Sequence, residues 1–191
     1  MINSNYYLTN PLPTNDGYTW TLASRLGSML QEIENLYGKR DKSWTFVGVE
    51  FEASGPQNWF PGNCGNIAIQ LNTNALQNDI LAHYQLAHEA VHLLAPDGQC
   101  GAPVIEEGLA TIYSEDYIAR EHGATGYTNM PSYIEAAKSV RELLMFDPDA
   151  IRKLRAVEPS FKKMSQETFK DAGIKYPENK ILHLISKFVR Q

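Results

Sequence analysis

The sequence has little cysteine, no surplus of basic charge and no long apolar run, and each absence excludes a class of protein. Its two cysteines, Cys64 and Cys100, do not form a Cys-x-x-Cys pair, so a cysteine zinc site is not indicated. A formal net charge of -5 provides no basic surface for nucleic acid or an anionic membrane. No stretch approaches the roughly 18 apolar residues that a membrane span requires. With no Lys or Arg before Arg25 and no apolar run near the N-terminus, no signal peptide is expected.

The residues that are present are typical of one globular domain. The chain has 191 residues, of which 43% are hydrophobic and 20% charged, enough to bury a core. We predict an α+β chain with an irregular arm over 1–18, an α/β core over 19–122 and a helical lobe over 123–191. We expect a soluble protein, with a monomer as its working state and no nucleic-acid or membrane partner.

The cysteines bear on the compartment. Cys64 and Cys100 lie beside glycines in predicted loops, so either a disulfide or two free thiols fits. A disulfide would indicate secretion, with the signal removed, or a periplasm, and free thiols would suit the cytoplasm. The sequence leaves both alternatives open.

The first part of the chain alternates helical and extended patterns. Apolar residues at helical spacing predict a helix over 20–37, which Gly38 ends. Residues 43–53 predict a strand, and the Gly, Pro and Asn of 54–65 predict a loop. Residues 66–73 alternate between apolar and polar side chains and predict a second strand. The buried face of the first strand is predicted to carry Val47, Val49 and Phe51.

The strongest chemical signal is His-Glu-Ala-Val-His at residues 88–92, a His-Glu-x-x-His motif in a helix predicted over 76–94. Residues four apart lie on one face of a helix, so His88 and His92 can bind the same ion. Glu89 lies about 100° round the helix, where it can hold a water molecule rather than the metal. A catalytic zinc normally takes three protein ligands and keeps a fourth position open. The motif therefore requires a third ligand elsewhere.

A second motif supplies candidates for that ligand. Residues 106–110 read Glu-Glu-Gly-Leu-Ala in a helix predicted over 104–122. Glu106 and Glu107 both offer a carboxylate, and helical periodicity does not choose between them.

The two motifs together resemble the gluzincins, the thermolysin-like zinc peptidases of the MA clan. The metzincin class is excluded because Ala95 and Gly98 stand where that class has Gly and His. In many gluzincins the third ligand is a Glu directly before Gly, in an Asn-Glu-Gly-x-Ala pattern followed by Tyr. Here the Asn is replaced by Glu106, and the matching pattern is Glu107-Gly108 with Tyr113 beyond. The resemblance covers about residues 44–120.

The resemblance implies a set of site residues. Zinc, one ion per chain, would be held by His88, His92 and Glu107, and Glu89 would be the general base. Tyr113, which matches the Tyr after the motif, would be the catalytic residue that steadies the oxyanion.

The resemblance also implies a zincin-like fold. A small sheet would lie beside the metal helix, and a mostly helical C-terminal lobe would form the lower wall of the cleft. The strand over 66–73 would be the sheet edge that pairs with an extended substrate.

The implied activity is hydrolysis of peptide bonds in a peptide or protein substrate. The aminopeptidases of this group carry a Gly-x-Met-Glu-Asn motif before the metal helix, whereas residues 65–70 here contain no acid. An endopeptidase is therefore the expected activity. The alternatives are a catalytically silent gluzincin-like binding module and a zinc amidase that acts on a non-peptide substrate.

Several supporting roles stay open at this level. Ser132 with Glu135 fits a capping box, and Asp147 reads as the N-cap of a short helix. Further helices are predicted over 165–172 and 180–189.

Other candidate oxyanion donors are Tyr117, Tyr127, Tyr133, His122 and His183. Thr111 and Ser114 are candidate hydrogen-bond partners of the ligand imidazoles.

Overall fold

Seven α-helices and three β-strands occur in the described part of this computed structural model, which covers residues 21–62, 64–99 and 101–191. The α+β class is confirmed, and helices dominate the second half of the chain. The arm predicted over 1–18 lies outside the described residues. The elements are α1 (Leu22–Tyr37), β1 (Thr45–Glu52), β2 (Gln57–Trp59), β3 (Asn66–Asn72), α2 (Asp79–His92), α3 (Val104–His122), α4 (Pro131–Phe146), α5 (Ala150–Val157), α6 (Gln166–Asp171) and α7 (Glu178–Ile185).

The three strands form a mixed sheet in the order β1-β3-β2. Strand β3 runs parallel to β1 and antiparallel to β2, with Asn58 opposite Ile69. The prediction that 66–73 is the sheet edge is therefore wrong, because β3 is paired on both sides. The reason is β2, a three-residue strand within the stretch predicted as a loop, which folds back onto β3 and takes the edge position.

A register shift in β1 changes which of its side chains are buried. The pairing with β3 slips between Phe46 and Gly48, so the alternation of the strand is interrupted. Val47 is 52% exposed, contrary to the prediction, whereas Phe46, Val49 and Phe51 pack against the core.

Helix α1 begins and ends at clear local signals. Thr21 and Ser24 form a reciprocal capping box, in which each side chain accepts the other residue's backbone N–H. Gly38 follows the helix with a φ of 96°, a conformation that favours glycine. The buried side of α1 is formed by Leu22, Leu26, Met29 and Ile33.

Helix α2 carries the His-Glu-x-x-His motif and starts later than the periodicity predicts. Residues 73–77 form a 3₁₀ helix, and the Asn78 side chain then accepts the Leu81 N–H at 3.0 Å to cap α2. Nearly every side chain between Ala82 and Val91 is buried. The motif therefore lies on a core helix.

Helix α3 has the predicted bounds and packs between α2 and α4. A Cβ atom at Gly108 would lie 2.4 Å from the carbonyl oxygen of Ala136 on α4. The backbone of α4 therefore approaches α3 to a distance that only glycine permits, one residue after Glu107.

Two predicted caps in the C-terminal lobe are wrong. Helix α4 starts at Pro131 without a side-chain cap, and the Ser132 hydroxyl instead donates to the Gln191 carbonyl at 3.2 Å. Helix α5 starts at Ala150 because the Asp147 carboxylate accepts the Asp149 N–H and closes a turn before the helix. Ser165 does cap α6, in agreement with the prediction over 165–172.

The last helix, α7, ends at Ile185, and the residues beyond it return to the start of α3. The Val104 N–H donates to the Ser186 carbonyl at 2.9 Å, and the Phe188 N–H donates to the Ala102 carbonyl at 2.9 Å. The helix predicted over 180–189 is therefore shorter at its C-terminal end, since these contacts take residues 186–188 out of it.

Two remaining features concern the cysteines and the membrane. Cys64 is a free, exposed cysteine, and Cys100, with which a disulfide was one of two alternatives, lies outside the described residues. No helix in the described ranges is both long and apolar enough to cross a bilayer.

Candidate metal centre

The candidate centre lies where α2 meets the first turn of α3. His88 and His92 occupy one face of α2, and Glu106 and Glu107 lie in the opening turn of α3. The Glu106 and Glu107 N–H groups both donate to the Pro103 carbonyl, which sets the start of that turn. The two helices therefore bring the two sequence motifs together.

Three side chains present ligand atoms toward one point. Glu107 Oε2 lies 3.2 Å from His88 Nε2 and 3.8 Å from His92 Nε2. The ligand atoms of the three residues all lie within 4.8 Å of one another. Tetrahedral zinc with bonds of about 2.0–2.1 Å separates its ligands by about 3.3 Å, so this donor set fits a zinc ion. The predicted grouping of His88, His92 and Glu107 is thus present in the structure.

Glu106 has a different position from Glu107. Its Oε1 atom lies 2.8 Å from His92 Nδ1, on the far side of the imidazole from Glu107. Because a carboxylate accepts hydrogen bonds, this contact favours a proton on Nδ1 and leaves Nε2 for a metal. Helical periodicity did not choose between the two acids, the resemblance assigned the ligand to Glu107, and the structure gives the two carboxylates different positions.

The charge distribution around His92 also favours a cation. Burial disfavours the imidazolium, but the carboxylates of Glu107, Glu106 and Glu89 outweigh it and raise the pKa of His92 to about 10. Burial raises the pKa of the Glu107 carboxyl, but His92 and His88 outweigh that effect and lower it. The cluster therefore holds a proton tightly, and a divalent ion would take over the same attraction.

Glu89 is buried beside the three clustered side chains, and its backbone contacts the sheet. Its backbone carbonyl accepts a hydrogen bond from Asn58 Nδ2 of β2 at 3.3 Å. Burial raises the pKa of the Glu89 carboxyl, against the opposing effect of His92 and His88. A raised carboxyl pKa suits a general base that must accept and then release a proton near neutral pH.

Two cavities meet at this centre. One, of about 230 Å³, extends past Asn58, Phe60 and Lys162, and the other, of about 260 Å³, extends past Tyr84, Tyr127 and Arg190. Both are lined by the same four residues, Pro56, His88, Glu89 and Tyr133. A substrate that filled both cavities would therefore cross the centre between its halves.

The predicted catalytic residue Tyr113 does not lie in this cleft. Its side chain is buried against α1, and its hydroxyl donates to Glu32 Oε2 at 2.9 Å. It lines neither cavity. Its assignment as oxyanion donor is therefore corrected: the part of α3 after the ligand turns this side chain toward α1.

Tyr133 is the tyrosine that meets the centre. Its ring lies edge-on to that of His88, with 5.7 Å between the centroids. Burial, and next the charge of Glu107, raise the pKa of Tyr133 to about 12, so the phenol keeps its proton and can donate. No spacing signal in the sequence singles out Tyr133, because α4 delivers it from a different part of the chain.

The other residues considered from sequence lie elsewhere or make local contacts. Tyr127 lines the second cavity, and His183 lines a separate one. His122 Nε2 lies 2.6 Å from His83 Nδ1, and the His83 ring contacts Tyr117. The Thr111 hydroxyl donates to the Glu107 carbonyl, and the Ser114 hydroxyl donates to the Thr111 carbonyl. Neither hydroxyl contacts an imidazole through these bonds, so the proposed partner of a ligand imidazole is Glu106 instead.

Comparison with protein-family models, with curated proteins and with solved structures finds no match to this chain. Any assignment of function therefore depends on the geometry of the centre and on its two motifs.

Proposed function

We propose that this chain is a zinc-dependent peptidase with a zincin-like fold. The observation that carries the proposal is the convergence of His88, His92 and Glu107 beside the buried Glu89, at the junction of two cavities. The order of helix, strands, metal helix and third-ligand helix agrees with the gluzincin resemblance. If the His-Glu-x-x-His motif had arisen by chance, we would not expect a third candidate ligand and a cleft to lie beside it.

Each residue has a role in this proposal. His88, His92 and Glu107 would hold zinc, which when bound polarises a substrate carbonyl and favours attack by water. Glu89 would accept the proton of the attacking water and pass it to the leaving amine nitrogen. Tyr133 would donate its phenolic proton to the oxygen on which negative charge develops. Glu106 would keep the His92 ring in place.

The walls of the cleft favour an endopeptidase over an aminopeptidase. The two cavities at the centre are lined by Glu89, Glu106, Glu107 and one further acid, Asp97. Lys162 pairs with Asp97 at 2.7 Å. A free carboxylate for a substrate amine is thus lacking among the described lining residues. Strand β2 lines the first cavity through Gln57 and Asn58, and its outer edge offers backbone groups to an extended peptide.

The test combines metal content with cleavage. Purified wild-type protein should contain about one zinc ion per chain, and Glu107→Ala should lose it because two ligands do not complete a catalytic site. Glu106→Gln is the matched control, for which zinc affinity should fall by about 10–100-fold but not vanish. Wild-type protein should cleave members of a mixed peptide library, and zinc-loaded Glu89→Gln should not.

Other results would contradict the proposal in recognisable ways. A chain that takes up no zinc when it is supplied is not a zinc enzyme. A chain that binds zinc and peptides without cleaving them is a binding module. A zinc-bound chain that is inactive on peptides but hydrolyses non-peptide amides is an amidase with the same centre.

A further inference from the structure

We propose that Arg190 binds a carboxylate of the substrate in the cavity lined by Tyr84, Tyr127 and Tyr133. The inference rests on the proposed peptidase function and names a chemical feature of its substrate. The carboxylate is an acidic side chain close to the cleaved bond if the enzyme acts as an endopeptidase, or the C-terminus of the peptide if it removes residues from that end.

The C-terminal segment holds Arg190 in a defined place. Phe188 is tied to Ala102 by a backbone hydrogen bond, and its ring packs on Tyr133 with 4.8 Å between centroids. On the other side, the Gln191 N–H donates to the Ser132 hydroxyl at 3.1 Å. Arg190 therefore projects from a segment that is anchored on both sides.

The charge of Arg190 contributes at longer range to the lowered pKa of Glu107, but the Arg190 guanidinium forms no ion pair in the described part of the chain. Its Nε donates to Met130 Sδ at 3.4 Å, and its central carbon lies 5.9 Å from the Tyr133 ring centroid. Some other surface cations do have carboxylate partners: Arg141 pairs with Glu115 at 2.9 Å and Lys180 with Glu142 at 2.8 Å. Arg190 thus keeps most of its five N–H donors for a ligand.

The position of Arg190 relative to the centre fits a bound substrate. The Tyr133 ring lies near both Arg190 and His88. One residue of extended chain spans about 3.3–3.6 Å. A peptide whose cleaved bond lies at His88 and Glu89 would thus bring a carboxylate to Arg190 within a few residues.

The lining of the cavity supports an anion with an apolar neighbour. Its lining includes Leu81, Met130 and three tyrosines together with polar Gln85, Thr128 and Asn129, and Glu89 is the acid among the described lining residues. At about 260 Å³ it is smaller than the roughly 300–1,000 Å³ of sites for drug-sized ligands, so it suits one or two residues. A planar guanidinium can bind a carboxylate through two parallel hydrogen bonds, so an arginine at this cavity suits a carboxylate ligand.

The test measures binding to the zinc-loaded Glu89→Gln protein by calorimetry, so that it does not depend on turnover. The probes are N-acetyl-alanyl-phenylalanine and its C-terminal amide, and N-acetyl-alanyl-phenylalanyl-glutamate amide with its glutamine counterpart. A carboxylate probe should bind about 10–100-fold more tightly than its neutral partner. Preference within the first pair identifies a C-terminal carboxylate, and preference within the second pair identifies an acidic side chain.

Adding Arg190→Gln should abolish the preference while leaving the affinity for the neutral probes unchanged. Lys162→Gln removes a cation from the other cavity as the matched control, and it should retain the preference. Zinc content and melting temperature of each variant establish that it is folded and loaded.

The outcomes separate this inference from the peptidase proposal. Equal losses for charged and neutral probes on Arg190→Gln, or no preference in the parent protein, would overturn the inference even if the wild type cleaves peptides. Arg190-dependent binding of carboxylates by a protein that never cleaves peptides would retain the inference and reject the peptidase. Failure to bind any probe would overturn the inference.

Discussion

At the scale of single residues, neighbours in sequence take different positions around the centre. Glu106 contacts the outer nitrogen of His92, whereas Glu107 faces the inner nitrogens of His88 and His92. The two carboxylates therefore support one imidazole from both sides. The same scale separates the two tyrosines, Tyr113 and Tyr133, because only the latter lines the cleft.

Exchange of these two tyrosines for phenylalanine tests the assignment of the oxyanion donor. Tyr133→Phe should lower kcat by about 10²–10³-fold with a smaller change in KM, because one donor to the developing charge is lost. Tyr113→Phe should leave kcat within a few-fold and instead reduce stability by about 1 kcal/mol, because its hydrogen bond to Glu32 is lost. Steady-state kinetics on a cleaved peptide check both, and a larger kcat loss for Tyr113→Phe would reverse the assignment.

His83 predicts a pH dependence of stability. Burial, with a further contribution from His122, lowers the pKa of His83 to about 3, from about 6.5 in the unfolded chain. Between these values the unfolded state binds more protons, so the stability contributed by the neutral His83 is fully present above pH 6.5 and falls as the pH drops. The slope from this group is up to about 1.4 kcal/mol per pH unit.

Urea unfolding of wild type and His83→Leu between pH 7 and pH 4 measures that slope. The variant should lose stability less steeply than the wild type, and the exposed His183→Leu should keep the wild-type slope. Equal slopes for all three proteins would mean that His83 is not held neutral in the folded chain.

At the scale of elements, the position of the centre depends on how closely α3 packs on its neighbours. Gly108 allows the α4 backbone to approach α3 next to Glu107, and β2 ties to α2 through Asn58 and the Glu89 carbonyl. The first contact fixes the backbone of α3 beside Glu107, and the second fixes the backbone of α2 at Glu89.

Gly108→Ala tests the close approach of α3 and α4. The added Cβ would lie 2.4 Å from the Ala136 carbonyl oxygen, so the helices must separate, at a cost of about 1–3 kcal/mol or more. Gly27→Ala in α1 is the matched control, since nothing lies within 4 Å of its Cβ, and it should stabilise by up to about 1 kcal/mol. Thermal unfolding should move the two melting temperatures in opposite directions, and a stable Gly108→Ala protein would show that the helices yield easily.

At the scale of the whole molecule, Arg155 joins the C-terminal lobe to the core. Arg155 is only 4% exposed, and it donates to the carbonyls of Tyr37, the last residue of α1, of Gly38 and Lys39 beyond it, and of Leu94 after α2. Carbonyls at and beyond the C-terminal end of a helix have no N–H partner within that helix. One guanidinium thus satisfies the ends of two core helices from α5.

Arg155→Lys should destabilise the protein by about 2–4 kcal/mol. A lysine keeps a positive charge but cannot reach several carbonyls in a plane, which leaves buried acceptors unpaired. Arg152→Lys on the exposed side of α5 is the control and should cost below about 1 kcal/mol. Guanidinium chloride unfolding measures both, and a loss below about 1 kcal/mol for Arg155→Lys would mean that the carbonyl contacts of Arg155 contribute little.

Much of the element content could be predicted, because helix signals are local. The bounds of α3 agree with the periodicity, and Gly38 and Ser165 mark helix ends as expected. The errors fall where a distant partner decides. Strand β2 has three residues in a Gly- and Pro-rich stretch and forms because β3 pairs with it. Val47 is exposed because pairing with β3 shifts the register of β1.

The sequence by itself determined the donor types and their spacing, since His88 and His92 share a helix face through local geometry alone. It also determined that two adjacent carboxylates, Glu106 and Glu107, follow the histidines in the next predicted helix. Only the tertiary structure decided that Glu106 lies against the outer nitrogen of His92 and that Glu107, which the resemblance had favoured, lies in the cluster. It likewise brought Tyr133 and Arg190 to the cleft and β2 to the sheet edge. The physical reason is that these placements depend on packing between segments far apart in the chain, which no local pattern records.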